Sequence, residues 1–64
     1  MYKNLNAELA RMGRTRKDLA LAADIRYQTL SEKMNGKTAF TFPEAIKIKK
    51  AMKIDMPLEQ IFLD

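Results

Sequence analysis

The sequence has no cysteine, no histidine and no tryptophan, and only two glycines and two prolines in 64 residues. Without cysteine, no disulfide staples the fold and no thiolate holds a metal ion. Without histidine, the commonest general base and the commonest metal ligand are gone, and zinc held by carboxylates alone is unusual. No stretch approaches the ~18 consecutive apolar residues that mark a membrane-spanning helix. The first residues, Met-Tyr-Lys-Asn-Leu-Asn-Ala-Glu, lack the apolar run of a secretory leader. The expectation is a cytoplasmic protein with no membrane contact, no cofactor, no metal ion and no small-molecule ligand. It is also expected not to be an enzyme, since scattered carboxylates and lysines in so small a body offer neither a deep pocket nor a nucleophile–base pair.

What is present belongs to a folded chain. Hydrophobic residues make up 47% and charged residues 31%, too apolar a balance for disorder. The chain is expected to form one small domain over residues 1–64, marginal in core size but feasible without staples. The net charge is +4 and lies unevenly. Residues 1–37 carry eight Lys and Arg against four acids, whereas residues 38–64 carry four lysines against four acids. The excess therefore surrounds the first half of the chain, which suits a polyanionic partner.

Helical spacing dominates and strand-like alternation is absent. A first helix is predicted over Lys3 to Met12, with Leu5, Leu9 and Met12 in one stripe and Gly13 as its stop. A second starts from the N-cap Thr15, has Asp18 in its first turn, and faces Leu19, Ala20 and Ala23 inward, with Leu21 outside. Asp24 is the expected turn residue, because Asp tolerates positive φ better than most types. Ile25 then plugs inward. A third helix runs from Arg26 or Tyr27 to Asn35, with Leu30 and Met34 inside, and Asn35-Gly36 ends it. Thr41-Phe42-Pro43-Glu44 reads as a capping box that starts a fourth helix reaching about Lys53, with Phe42, Ala45, Ile48 and Met52 on its inner face. Asp55 is expected to cap a last short helix, Met56 to about Leu63, with Pro57 in its first turn and Leu58, Ile61 and Phe62 inside. The predicted core is Leu5, Leu9, Leu19, Ile25, Leu30, Ala45, Ile48, Leu58, Ile61 and Phe62.

These elements carry a resemblance. Thr15-Arg16-Lys17-Asp18-Leu19-Ala20 resembles the Thr-Gln-x-x-Leu-Ala pattern of the Cro/repressor type of helix-turn-helix proteins, the lambda-repressor-like or XRE family of phage and bacterial regulators. Thr29-Leu30-Ser31-Glu32-Lys33-Met34-Asn35-Gly36-Lys37 is similar to that family's Thr-[Ile/Leu/Val]-Ser-x-x-x-Asn-Gly-[Lys/Arg]. Phe42 to Ile48 and Ile54 to Phe62 look like its fourth and fifth helices. Asp24 departs from the family's turn glycine, Arg16 from its glutamine, and Glu32 from its usual Arg or Gln. The resemblance implies an all-α, compact five-helix lambda-repressor-like DNA-binding domain, with a helix-turn-helix formed by helices 2 and 3.

The same resemblance implies that helix 3 meets base edges with Tyr27, Gln28 and Glu32, flanked by Thr29 and Ser31. Gln28 has the donor–acceptor pair for adenine, and Glu32 can accept from cytosine N4 or turn away to pair with Lys33 or Arg26. Arg14, Arg16, Lys17, Arg26, Asn35 and Lys37 are the expected phosphate contacts. Lys47, Lys49, Lys50 and Lys53 read as a solvated face of helix 4. The function implied is a sequence-specific double-stranded DNA-binding transcriptional regulator: a small Cro-like phage or prophage repressor. It would bind a palindromic operator as a homodimer, formed in solution or only on DNA, with helix 5 and Ile61-Phe62-Leu63 as the dimer contact. The rival function is a protein–protein adaptor on the same scaffold, antitoxin-like or phage-encoded.

Overall fold

Three of the first four helices stop in the same way. In the computed structural model, which describes residues 1–63, the helices are α1 (Lys3–Arg11), α2 (Arg16–Ala23), α3 (Tyr27–Met34), α4 (Phe42–Met52) and α5 (Leu58–Ile61). After α1, α2 and α3 the chain turns through a left-handed residue: Gly13 (φ 66°), Asp24 (φ 56°) and Gly36 (φ 83°). In each case the next N–H reaches back five residues: Arg14 to Leu9 at 2.9 Å, Ile25 to Ala20 at 3.0 Å, and Lys37 to Glu32 at 3.0 Å. These bonds satisfy carbonyls that a helix end otherwise leaves open. Two starts are equally well defined. Thr15 and Asp18 form a capping box on α2, and Thr41 and Glu44 form one on α4.

The helices are all short, so their stability comes from packing rather than propensity. α2 lies between α3 and α4, α5 closes against α4, and α1 packs on α5. The fully buried side chains are Leu5 (α1), Leu19 (α2), Leu30 and Met34 (α3), Ile48 and Met52 (α4), and Ile61 (α5). Ala20 and Ala23 are buried too, and their small size lets α2 sit close to its neighbours. A second cluster joins distant parts of the chain. The rings of Tyr2, Phe40 and Phe62 meet edge-on or tilted, with centroids 5.0–6.0 Å apart, a geometry aromatic quadrupoles favour. Asn4 adds a tie from α1, donating Nδ2–H to the Gln60 carbonyl at 2.7 Å.

Several expectations need correction. Phe42 does not face inward: it is 69% exposed. As the first residue of α4, ahead of the packed turns, it has no neighbouring helix to cover it. Asp55 does not cap α5, whose N-cap is Pro57 with no side-chain bond, and the helix is a single turn rather than the span to Leu63. Ile25, Leu58 and Phe62 pack on the core while staying half-buried, and Ile54, absent from the predicted core, is buried. α4 ends at Met52 through a left-handed Lys53 (φ 54°). Among the described residues no helix is long and apolar enough to cross a membrane.

Candidate nucleic-acid interface

On α3, Leu30 and Met34 point into the core, so residues on the opposite face point out. Gln28 and Glu32, four apart, stand one above the other on that outer face. Gln28 is exposed, Glu32 half-buried, and Tyr27 at the helix start 47% exposed. Ser31 and Asn35 occupy one flank, Thr29 and Lys33 the other.

Both flanks are tied down by polar bonds that cross between helices. On the first flank, Arg16 at the start of α2 donates Nη1–H to Ser31 Oγ and to Asn35 Oδ1, each at 3.1 Å. On the second, Lys33 Nζ donates to Glu44 Oε1 on α4. The same Glu44 oxygen accepts the Thr41 N–H at 2.8 Å, so one carboxylate both caps α4 and holds α3. Lys33 and the Thr41 N–H therefore stabilise its charged form and pull its pKa below the ordinary carboxyl value. α3 is thus strapped to α2 on one side and α4 on the other, and the Gln28–Glu32 ridge stands between the straps.

The charges of the first half of the chain are unequally engaged. Asp18 is engaged at the α2 cap, where the Thr15 N–H donates to Oδ2 at 2.8 Å, and this bond holds its pKa down. Glu8 is paired with Arg11 at 2.7 Å. Arg14, Lys17, Arg26 and Lys37 are exposed and form no ion pair among the described residues. Glu32 forms none either: Lys33, one of its two expected partners, belongs to Glu44 instead.

Four of the five expected base-contact residues share one side of α3, while Arg14 stands apart between α2 and α4. Tyr27, Gln28, Ser31 and Glu32 share the outer part of α3, and Thr29 is half-buried on the flank away from Arg16. Arg16 is not a free arm. It is half-buried and committed through Nη1 to α3, which leaves its Nε–H and Nη2 donors for an anion. Asn35 correspondingly spends its carbonyl on Arg16 and keeps its NH2 group. Sequence reasoning missed the Lys33–Glu44 strap; the signal was a Lys and a capping Glu bracketing one loop, but the loop's path decides whether they meet. Comparison of the chain with protein-family models, with curated proteins and with solved structures gave no match.

Proposed function

We propose that this chain is a sequence-specific double-stranded DNA-binding transcriptional regulator of the Cro/repressor type, in which α2 and α3 form a helix-turn-helix and α3 enters the major groove. The observation that carries the reading is the mounting of α3. A recognition helix must present polar side chains outward while its position is fixed to a fraction of an ångström. The Arg16 and Lys33–Glu44 straps hold α3 by its flanks, and the ridge between them carries Gln28 and Glu32. Gln28 suits the N6/N7 edge of adenine and Glu32 the N4 amino group of cytosine. Lys17, Arg26 and Lys37, with the spare donors of Arg16 and Asn35, suit the flanking phosphates, whereas Arg14 stands between α2 and α4. An adaptor on this scaffold would need apolar anchors at helical spacing on the same face, and Tyr27 is the one large ring that α3 exposes.

One copy reads few base pairs, so the regulator works as a homodimer on a palindrome with half-sites roughly 34 Å apart. Support for a dimer contact comes from the exposed Phe42 beside a groove of about 390 Å³ lined by Tyr2, Phe40, Leu58 and Phe62, with Leu63 also exposed. The experiment is selection of bound duplexes from a random pool at near-physiological salt. The expected result is an enriched palindrome whose preference at one position changes in Glu32→Gln. Salt-sensitive binding with no enriched sequence overturns the reading of a sequence-specific regulator.

A further inference from the structure

A second cationic feature lies on a different flank of α2. Between α2 and α4 runs a groove of about 590 Å³, and no residue of α3 lines it. At about 100° per residue, Ala22 on its floor stands roughly 120° around α2 from Arg16. Ala23 and Ala51 complete the floor. The walls carry Arg14, Lys47, Lys50 and Lys53, and Asp24 is the lone acid. None of these cations forms an ion pair among the described residues.

The stripe is not the cheapest arrangement for α4. Lys47 and Lys50 are three apart on α4, and like charges about one turn apart weaken a helix. Lys50 recovers something from the helix dipole near the C-terminus, but Lys47 lies a turn further in. Lys53 holds a left-handed backbone (φ 54°) in which glycine would be less strained. Four cations therefore converge on an alanine floor with no ion pair among the described residues and some local cost; Arg14 alone feels a nearby acid, Asp18.

That chemistry selects its occupant. Acidic peptides are held by arginine clusters whose planar forks grip carboxylates, and here three of the four cations are lysines over a floor of methyl groups with no pocket for a side chain. A phosphodiester backbone needs regularly placed point charges and room to approach, which lysines around alanines supply. We propose that the α2–α4 groove is a second seat for the phosphate backbone of duplex DNA, taking a stretch of backbone other than the one against α3. The chain then holds DNA on two separate faces.

The test is an amide-resolved NMR titration of the whole chain with a short duplex of random sequence, at several salt concentrations. The expected result is that the amides of Ala22, Ala23 and Ala51 shift on titration. In Lys47→Gln/Lys50→Gln/Lys53→Gln those shifts are lost while Gln28 and Ser31 still respond. The log–log salt dependence of duplex binding by the whole chain should become shallower by roughly 0.9 for each lysine removed. Should the triple variant misfold, the single Lys47→Glu gives the same comparison. Groove amides that ignore the duplex overturn the proposal, as does tighter binding of poly-glutamate than of DNA at equal charge. A silent α3 beside a responding groove instead defeats the recognition role of α3 and leaves the groove assignment standing.

Discussion

Glu44 is the residue whose loss reaches furthest, because one oxygen serves two bonds. Glu44→Gln keeps an acceptor for the Thr41 N–H, since Gln also serves at this cap position, and removes the charge opposite Lys33. The side chains of the pair are 13% and 20% exposed, so the interaction lies between a free surface ion pair and a shielded charged hydrogen bond. That range places the cost of Glu44→Gln at about 1 kcal/mol. Glu44→Ala also leaves the Thr41 N–H without its cap partner and should cost about 2 kcal/mol in all. For a domain of this size the melting temperature then falls by roughly 4–8 °C for the first variant and roughly 8–16 °C for the second.

The pH dependence follows from the same bonds. Lys33 and Thr41 lower the Glu44 pKa in the folded state, so its contribution is fully present above the unfolded carboxyl value of about 4.3. It is lost as pH falls through the lowered folded value. The assay is thermal melting followed by circular dichroism from pH 3 to pH 7, with a double-mutant cycle that includes Lys33→Met. The gap between the wild type and Glu44→Gln should hold near neutrality and narrow below about pH 4. A coupling between Lys33 and Glu44 under about 0.3 kcal/mol, or a gap that persists at the acid end, would refute the strap.

Three further outcomes follow from other parts of the fold. Ile48→Ala empties a fully buried position on α4 and should destabilise by roughly 2–5 kcal/mol, enough to leave much of so small a domain unfolded in a denaturant titration. Asp24→Gly relieves a left-handed non-glycine residue whose side chain makes no hydrogen bond among the described residues, and should raise stability by up to about 1 kcal/mol; a lower melting temperature would show that the carboxylate has an unrecognised role in the turn. Arg16→Lys keeps the charge but loses the Nε–H and Nη2 donors that remain when Nη1 holds Ser31 and Asn35, so it should weaken duplex binding for every sequence alike; wild-type affinity for that variant would mean that the spare donors of Arg16 meet no phosphate.

Much of the fold was legible because the controlling interactions are local. Thr15 with Asp18, and Thr41 with Glu44, lie three residues apart, and the stops at Gly13, Asp24 and Gly36 need only a residue tolerant of positive φ. The inward stripes of α1, α3 and the later turns of α4 follow from the helical period alone. The failures lie where period and local pattern have no authority. Phe42 falls on the right side of α4 by spacing, but no neighbouring helix covers the first residue of α4. The α5 boundary slipped because Asp55 is a good cap by type, whereas the chain around Pro57 leaves only one turn of helix.

By itself, then, the sequence determined five helices, the caps of α2 and α4, the stops after α1, α2 and α3, an excess of positive charge in the first half, and a polar outer face on α3. Those are properties of residues near one another along the chain. Only the tertiary structure decided that Arg16 spends Nη1 on Ser31 and Asn35, that Lys33 pairs with Glu44 rather than Glu32, and that Tyr2, Phe40 and Phe62 share one cluster. It alone gathers Arg14 and the lysines of α4 around one groove. Each of these unites groups on different elements, and the packing of α2 against α3 and α4 sets the distances between them.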